Sequence, residues 1–268
     1  MIALNHNDIN AYDTDSHVAE IYDQHETERD DVDFIRRLIG NSGPMKILEP
    51  FCGTGRILIP LALDGHVLSG MDQSTGMLNR ARKKIQGLPL EAQERIKLLQ
   101  VDVLRKEWPG GFDLVILGCN CFYELATSDE QENCIVQAFQ SLNPGGHLFL
   151  DNDHMEGELA VSWQNIGVVE PSLCGKCSDV TLVESTRETI WFDAPRRLTR
   201  FRRHTRVTLP DGTATEQEYI QQKHPVSTGE VGDWLEKHSF IIEDTYGTYD
   251  GASYIDTSPR AIFWAGRI

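Results

Sequence analysis

Two carboxylates and two glycines carry the chemistry this sequence offers. Glu49 closes the apolar run Ile47-Leu48, and Asp72, 23 residues on, closes the run Val67 to Met71. Between them lie the turn Cys52-Gly53-Thr54-Gly55 and a helical apolar pattern, Ile57 to Leu63, that stops at Gly65. The pattern predicts a strand, a turn, a helix and a second strand of a parallel sheet, with an acid at the tip of each strand. Ligands of open α/β sheets bind beyond the carboxyl ends of the strands. Without a Cβ, Gly53 and Gly55 let the backbone come close to a ligand. An acid about twenty residues past such a turn is placed to accept from ribose hydroxyls.

A dinucleotide-binding turn would need a third glycine, which allows tight helix–strand packing; Leu58 occupies that place. A P-loop would need a Lys after the last Gly of the turn, and Arg56 follows Gly55. The run EPFCGTGR, Glu49 to Arg56, instead resembles the first motif of class I S-adenosylmethionine-dependent methyltransferases, and GMDQSTGMLNRARKK, Gly70 to Lys84, resembles their second. Further places match: Val101-Asp102-Val103, Phe112-Asp113-Leu114-Val115, and Leu142-Asn143-Pro144-Gly145-Gly146. The resemblance covers residues 45–153 and extends more loosely over the last 40 residues.

The resemblance implies S-adenosyl-L-methionine as cofactor and assigns roles. Glu49 orders the first turn and meets the methionine amine. Cys52, Gly53, Thr54 and Gly55 wrap the methionine part. Asp72 takes the ribose hydroxyls, Gln73 and Met77 flank adenine, Asp102 accepts from the adenine amine and Val103 donates through its backbone. Gly118, Cys119 and Asn120 end the fourth strand beneath the transferable methyl. His17 to Asp23, with Tyr22, and the more N-terminal Tyr12 resemble the opening segments that close over the cofactor. Tyr123 and His154 are the candidates for accepting a proton from the acceptor. Methyl transfer needs alignment above all, which is worth about 7–11 kcal/mol, so no catalytic triad is expected.

The small-molecule N-methyltransferase branch, which includes enzymes of amino sugars, is the one resembled. The expected function is methylation of an amine nitrogen on a small acceptor. An O-methyltransferase, or a protein that binds the cofactor without transferring methyl, remains the alternative. In place of the D/N-P-P-Y/F of base methyltransferases the chain reads Gly118 to Tyr123. The formal net charge of −16 also lacks the cationic surface that nucleic acid requires. A cluster at Arg196, Arg197, Arg200, Arg202, Arg203, His204 and Arg206 reads as a strand with a solvated basic face, with a role beside an anionic substrate as the alternative.

No apolar run is long enough to cross a membrane, and the first residues lack the features of a secretory signal. The six scattered cysteines suit reduced thiols in a cytoplasmic protein. Cys174-Gly-Lys-Cys177 has no second pair at ligand spacing, so it reads as a turn, and no metal is expected.

The elements predicted to position these residues are a helical lid over 1–42, a cofactor-binding core over 43–153 and 226–268, and an antiparallel β insertion over 154–225. The fold class is α/β, a doubly wound, mostly parallel seven-stranded sheet with a small antiparallel β insertion after strand five. Three or four strands are expected in the insertion, and a helix from Ser128 to Leu142 capped by Ser128-x-x-Gln131. In the resembled enzymes the insertion roofs the acceptor site and often contributes to dimers, so a homodimer contact is expected there.

Overall fold

The computed structural model describes residues 16–153 and 159–268. Helices α1, Ser16–His25, and α2, Asp30–Ile39, lead into strand β1, Lys46–Pro50. Then come α3, Leu58–Leu63, β2, Val67–Asp72, α4, Thr75–Gln86, α5, Leu90–Glu94, β3, Ile96–Gln100, and β4, Phe112–Leu117. A 3-10 turn, Cys121–Glu124, precedes α6, Ser128–Ser141, and β5, Leu142–Asp153. Beyond β5 lie α7, Val161–Gln164, β6, Val169–Pro171, β7, Gly175–Lys176, β8, Leu182–Asp193, β9, Leu198–Thr208, and β10, Ala214–Lys223. Helix α8, Thr228–Lys237, and the strands β11, Phe240–Tyr246, and β12, Arg260–Arg267, close the chain.

Seven strands form one sheet in the order β11-β12-β5-β4-β1-β2-β3. β1 to β5 pair in parallel, and β12 runs antiparallel to β5 and to β11. Chain order reverses direction between β1 and β4, which is where such sheets open a crevice. The strands between layers are apolar on both faces, as buried parallel strands are. Two clusters fill those faces, one including Leu48, Val115, Phe122 and Leu150, the other Ile47, Leu58, Ile116 and Phe149. The expected fold class is therefore the observed one.

The second sheet is antiparallel, in the order β10-β9-β8-β6, with β7 also pairing β8. It has five strands rather than the expected three or four, because two short segments without alternation, Val169–Pro171 and Gly175–Lys176, pair against the long β8. The Cys174–Cys177 stretch supplies β7 and the turn after it, closed by Cys177 N–H to Thr181 O at 2.8 Å, and neither cysteine is in a disulfide.

Two local expectations shift. The cap of α6 is Thr127, whose hydroxyl accepts from Glu130 N–H at 3.2 Å. Gln131, expected in the capping box, is instead fully buried and donates to Phe122 O and His224 O. Leu142, expected to end the helix, instead begins β5, and Asn143-Pro144-Gly145-Gly146 form a bulge between the Phe112–Leu142 and Leu114–His147 pairs.

Candidate functional site

The site gathers at the carboxyl ends of β1, β2 and β4. Three non-glycine residues there hold left-handed backbone: Phe51 after β1 (φ 60°), and Cys119 and Asn120 after β4 (φ 56° and 58°). Such conformations cost energy and persist where packing over-determines them, which is often at functional sites. Gly53 (φ 52°) and Gly55 (φ 76°) complete the turn. A Cβ built on Gly53 would meet open space within 4 Å.

The Leu58 substitution for a third glycine is explained by size exchange. A Cβ on Gly70 of β2 would lie 2.6 Å from Leu58 Cδ1 and 2.7 Å from Cys52 Sγ. A Cβ on Gly118 would lie 2.7 Å from Ile57 Cδ1. The strands are small where the helix is large, so α3 still packs close to the sheet.

Asp72 sits between the turn and α4. Its Oδ2 accepts from Gly53 N–H at 2.9 Å and its Oδ1 from Ser74 N–H at 2.8 Å. Gln73 is exposed, and Met77 is buried with its N–H on Ser74 Oγ, the N-cap of α4. Asp102 caps the turn after β3, accepting from Leu104 N–H and Arg105 N–H, while Val103 is buried and its carbonyl takes Trp108 Nε1–H.

Glu49 is buried, and its Oε2 has no hydrogen-bond partner. Burial pushes its carboxyl up to about 8, with Arg56 opposing and Asp31 assisting. Arg56 is itself buried. It forms an ion pair with Asp31, donates to Glu28 O at 2.8 Å and touches Cys119 Sγ, and its Nε is unpartnered. One buried acceptor and one buried donor thus lie idle in the same neighbourhood, which is rare unless a ligand completes them. A group carrying both an ammonium and a carboxylate, such as the methionine end of the cofactor, fits that pair of vacancies.

α1 spans the space above. Tyr22 is half-buried, and burial raises its phenol well above the usual value, with Cys119, Glu26 and Glu49 adding to the rise. Asp23 accepts from Thr54 Oγ1–H at 2.6 Å, Arg80 Nε–H at 2.8 Å and Lys84 Nζ at 2.9 Å. Burial pushes its carboxyl up, but these donors hold it below the usual carboxylate value. The other side of α1 faces the second sheet: Gln24 donates to Lys176 O, His25 meets Cys174 O, and a Cβ on Gly175 would lie 2.9 Å from Ile21 Cδ1.

Asn120 ties the end of β4 to β5. Its Nδ2 donates to Asp153 Oδ2 at 3.1 Å, and its Oδ1 accepts from Asp153 N–H at 2.7 Å and Arg260 Nη2 at 3.0 Å. Arg260 also holds Asp151, which takes the Tyr249 hydroxyl. Burial raises the Asp151 carboxyl despite Arg260.

The sequence therefore locates Tyr22, Glu49, Cys52, Gly53, Thr54, Gly55, Asp72, Cys119 and Asn120 in one connected region. Asp102 and Val103 stand apart on the β3 side, beyond the network. Tyr12 and His154 lie outside the described residues. Tyr123 belongs to the 3-10 turn after β4. Sequence reasoning missed Asp31, Asp151 and Arg260, and gave Arg56 and Asp23, which lie within quoted motifs, no role of their own. One signal was available: Asp31 lies four residues before Ile35 on the apolar face of α2, where a charge needs a partner. Among the described residues no three His, Cys, Asp or Glu side chains are grouped to hold a metal, and no helix is long and apolar enough to cross a membrane.

The Methyltransferase domain family model matches residues 41–199, more than half of the chain. A relative named as a methyltransferase, GWCH70_2453 of Geobacillus sp. strain WCH70, is 23% identical over 233 residues, covering 84% of this chain and 86% of its own. Among solved structures, the CcbJ methyltransferase of Streptomyces caelestis superposes with TM-score 0.70 at 17% identity, covering 96% of this chain and 100% of its own. The sugar N-methyltransferase KedS8 of Streptoalloteichus sp. ATCC 53650 does so with TM-score 0.68 at 16% identity, covering 92% and 91%. The chain thus belongs to the methyltransferase-domain family, as a methyltransferase dependent on S-adenosylmethionine.

Proposed function

We propose that this enzyme methylates an amine nitrogen of a small molecule. The observation that carries the cofactor half of this reading is the unpartnered Glu49 Oε2, buried at the end of β1 within electrostatic reach of Arg56 and Tyr22. The nitrogen preference is supported by likeness in fold to proteins named as sugar and glycopeptide N-methyltransferases.

Bound S-adenosylmethionine would supply an electrophilic methyl on sulfur, open to in-line displacement by a lone pair. In this reading Glu49 and Arg56 receive the amino-acid end, and Cys52, Gly53, Thr54 and Gly55 shape the turn around it. Asp72 takes the ribose hydroxyls. Gln73 and Met77 border adenine, with Asp102 and the Val103 N–H reading its edge. Gly118, Cys119 and Asn120 form the floor under the reacting centre, and Tyr22 excludes water from above. Tyr123 and His154 are the proposed proton acceptors. The acceptor enters between the 3-10 turn after β4 and the second sheet, which also offers the surface for a homodimer. The thiol content supports a cytoplasmic setting, and the charge of −16 speaks against nucleic acid as a partner.

Calorimetric titration with S-adenosylhomocysteine and with NAD, followed by labelled-methyl transfer over an amine panel, tests this. Micromolar binding of the thioether and methyl incorporation into an amine are expected. Binding of NAD alone, or methyl incorporation confined to hydroxyl acceptors, would overturn it.

A further inference from the structure

The basic run of the second sheet divides by strand alternation. On β9, Arg202, His204 and Arg206 point outward, where Arg202 meets Glu188 and Glu218, and His204 and Arg206 meet Glu216. Arg203 points the other way, on the face that buries Phe201, Thr205 and Val207. Register places Arg187 of β8 and Tyr219 of β10 on either side of Arg203. Lys223, four residues beyond Tyr219, shares their face and is buried. Three cations therefore line one face of the sheet in a strongly acidic chain.

That face looks onto the end of β4. Lys223 forms an ion pair with Glu124, which lies in the 3-10 turn just after Gly118 to Asn120. Gln221 Nε2–H donates to Glu124 Oε2 at 3.0 Å, and Gln221 Oε1 accepts from Arg203 Nε–H at 3.0 Å. Arg203 is thereby held in a chain of bonds that begins beside the floor of the crevice. Lys223 has Glu124, and Arg187 has Glu170 at 2.6 Å. Arg203 takes only neutral acceptors, Gln221 and Ser172 Oγ at 2.9 Å, with no carboxylate in ion-pair reach among the described residues. Its nearest anion, Glu124, is bonded directly to Lys223 and reaches Arg203 only across Gln221, and a partly buried guanidinium presents a planar fork suited to a carboxylate or phosphate.

We infer that Arg203, flanked by Arg187 and Tyr219 on the inner face of the second sheet, binds an oxyanion carried by the methyl acceptor. The acceptor is thus an amine that also bears a carboxylate or a phosphate. The inference rests on the reading of this chain as an amine methyltransferase and specifies its substrate class. It also fits the nucleophile's needs: an amine attacks only as the free base, and nearby cations disfavour the ammonium form. The roof would anchor the acceptor by its anion while favouring loss of the amine proton.

The test uses matched amines: glucosamine against glucosamine 6-phosphate, and phenethylamine against phenylalanine, with production of S-adenosylhomocysteine as the readout. The wild type should favour the anion-bearing member of at least one pair by about tenfold or more in kcat/KM, through KM. Arg203→Gln should lose that discrimination, and Arg203→Lys should keep part of it. Thioether binding by both variants reports that they remain folded. Equal use of both members of each pair, or discrimination that survives Arg203→Gln, overturns the inference. If no amine of the panel is turned over, calorimetry with inorganic pyrophosphate on the thioether-saturated protein decides. Binding that Arg203→Gln abolishes supports the inference, and no binding by the wild type sinks it. Failure to bind the thioether at all would instead strike the cofactor reading.

Discussion

Leu58 and Gly70 are a complementary pair: the helix side chain occupies the room that a Cβ on the strand would take, at 2.6 Å. Gly70→Ala should therefore overpack the crevice wall and destabilise the protein by about 1–3 kcal/mol. Leu58→Ala in the same chain should recover part of that loss in urea unfolding. Simple addition of the two single losses would count against the pairing.

Asp72→Ala should weaken binding of S-adenosylhomocysteine by about 2–3 kcal/mol, because the ribose hydroxyls lose a charged acceptor. The Gly53 amide loses its partner as well, so the turn itself should loosen. Calorimetry reads the first effect and amide exchange at Gly53 the second. Wild-type affinity in the variant would refute the role given to Asp72.

Glu49 makes cofactor affinity depend on pH. Its carboxyl is raised to about 8 by burial, so the folded chain without ligand prefers it protonated. The stability conferred by that preference is whole below the unfolded value of 4.5 and drains as pH rises through about 8. Meeting an ammonium requires the ionised form. Affinity for S-adenosylhomocysteine should thus rise by up to about tenfold per unit between pH 6 and 8, with proton release on binding seen across buffers of different ionisation enthalpy. Glu49→Gln should flatten the profile.

Glu124 and Lys223 hold the roof to the core. Burial draws Lys223 down to about 8 although Glu124 opposes, and the Lys223 charge keeps Glu124 below its usual value against burial. Lys223→Met should destabilise by about 3 kcal/mol, since a desolvated carboxylate is left without its cation. The double change with Glu124→Gln should recover much of this. A double-mutant cycle with no coupling would show that the two charges act independently.

Asp23→Asn should weaken the attachment of α1 by about 2 kcal/mol, since three donors then face a neutral amide. Trypsin cleavage near Arg29 and Arg36 should quicken, and saturating S-adenosylhomocysteine should slow it again. An unchanged cleavage rate would show that Asp23 is not the fastening.

How legible was this in the sequence? Local features were. Glu49, the glycine turn and Asp72 fall within one strand–helix–strand unit, so their spacing alone placed them. The motif Phe112-Asp113-Leu114-Val115 falls inside β4, where an apolar run follows the stop at Gly110-Gly111. Contacts between distant segments left no such trace. Asp31 with Arg56, Asp151 with Arg260, and Glu124 with Lys223 meet only through folding, across 25, 109 and 99 positions. The shift of the α6 cap from Ser128 to Thr127 turned on which hydroxyl reaches an amide, since both residues satisfy the pattern. The division of the arginine run needed the register of β9, since one step of slippage would turn Arg203 outward.

α1 is fastened twice, to the glycine turn and α4 through Asp23, and to β7 and its flanks through Gln24 and His25. A latch shared by two walls cannot release one without slackening the other. Departure of the spent nucleoside and unsealing of the acceptor chamber would then be one event, and turnover would be gated by how often a ten-residue helix lifts.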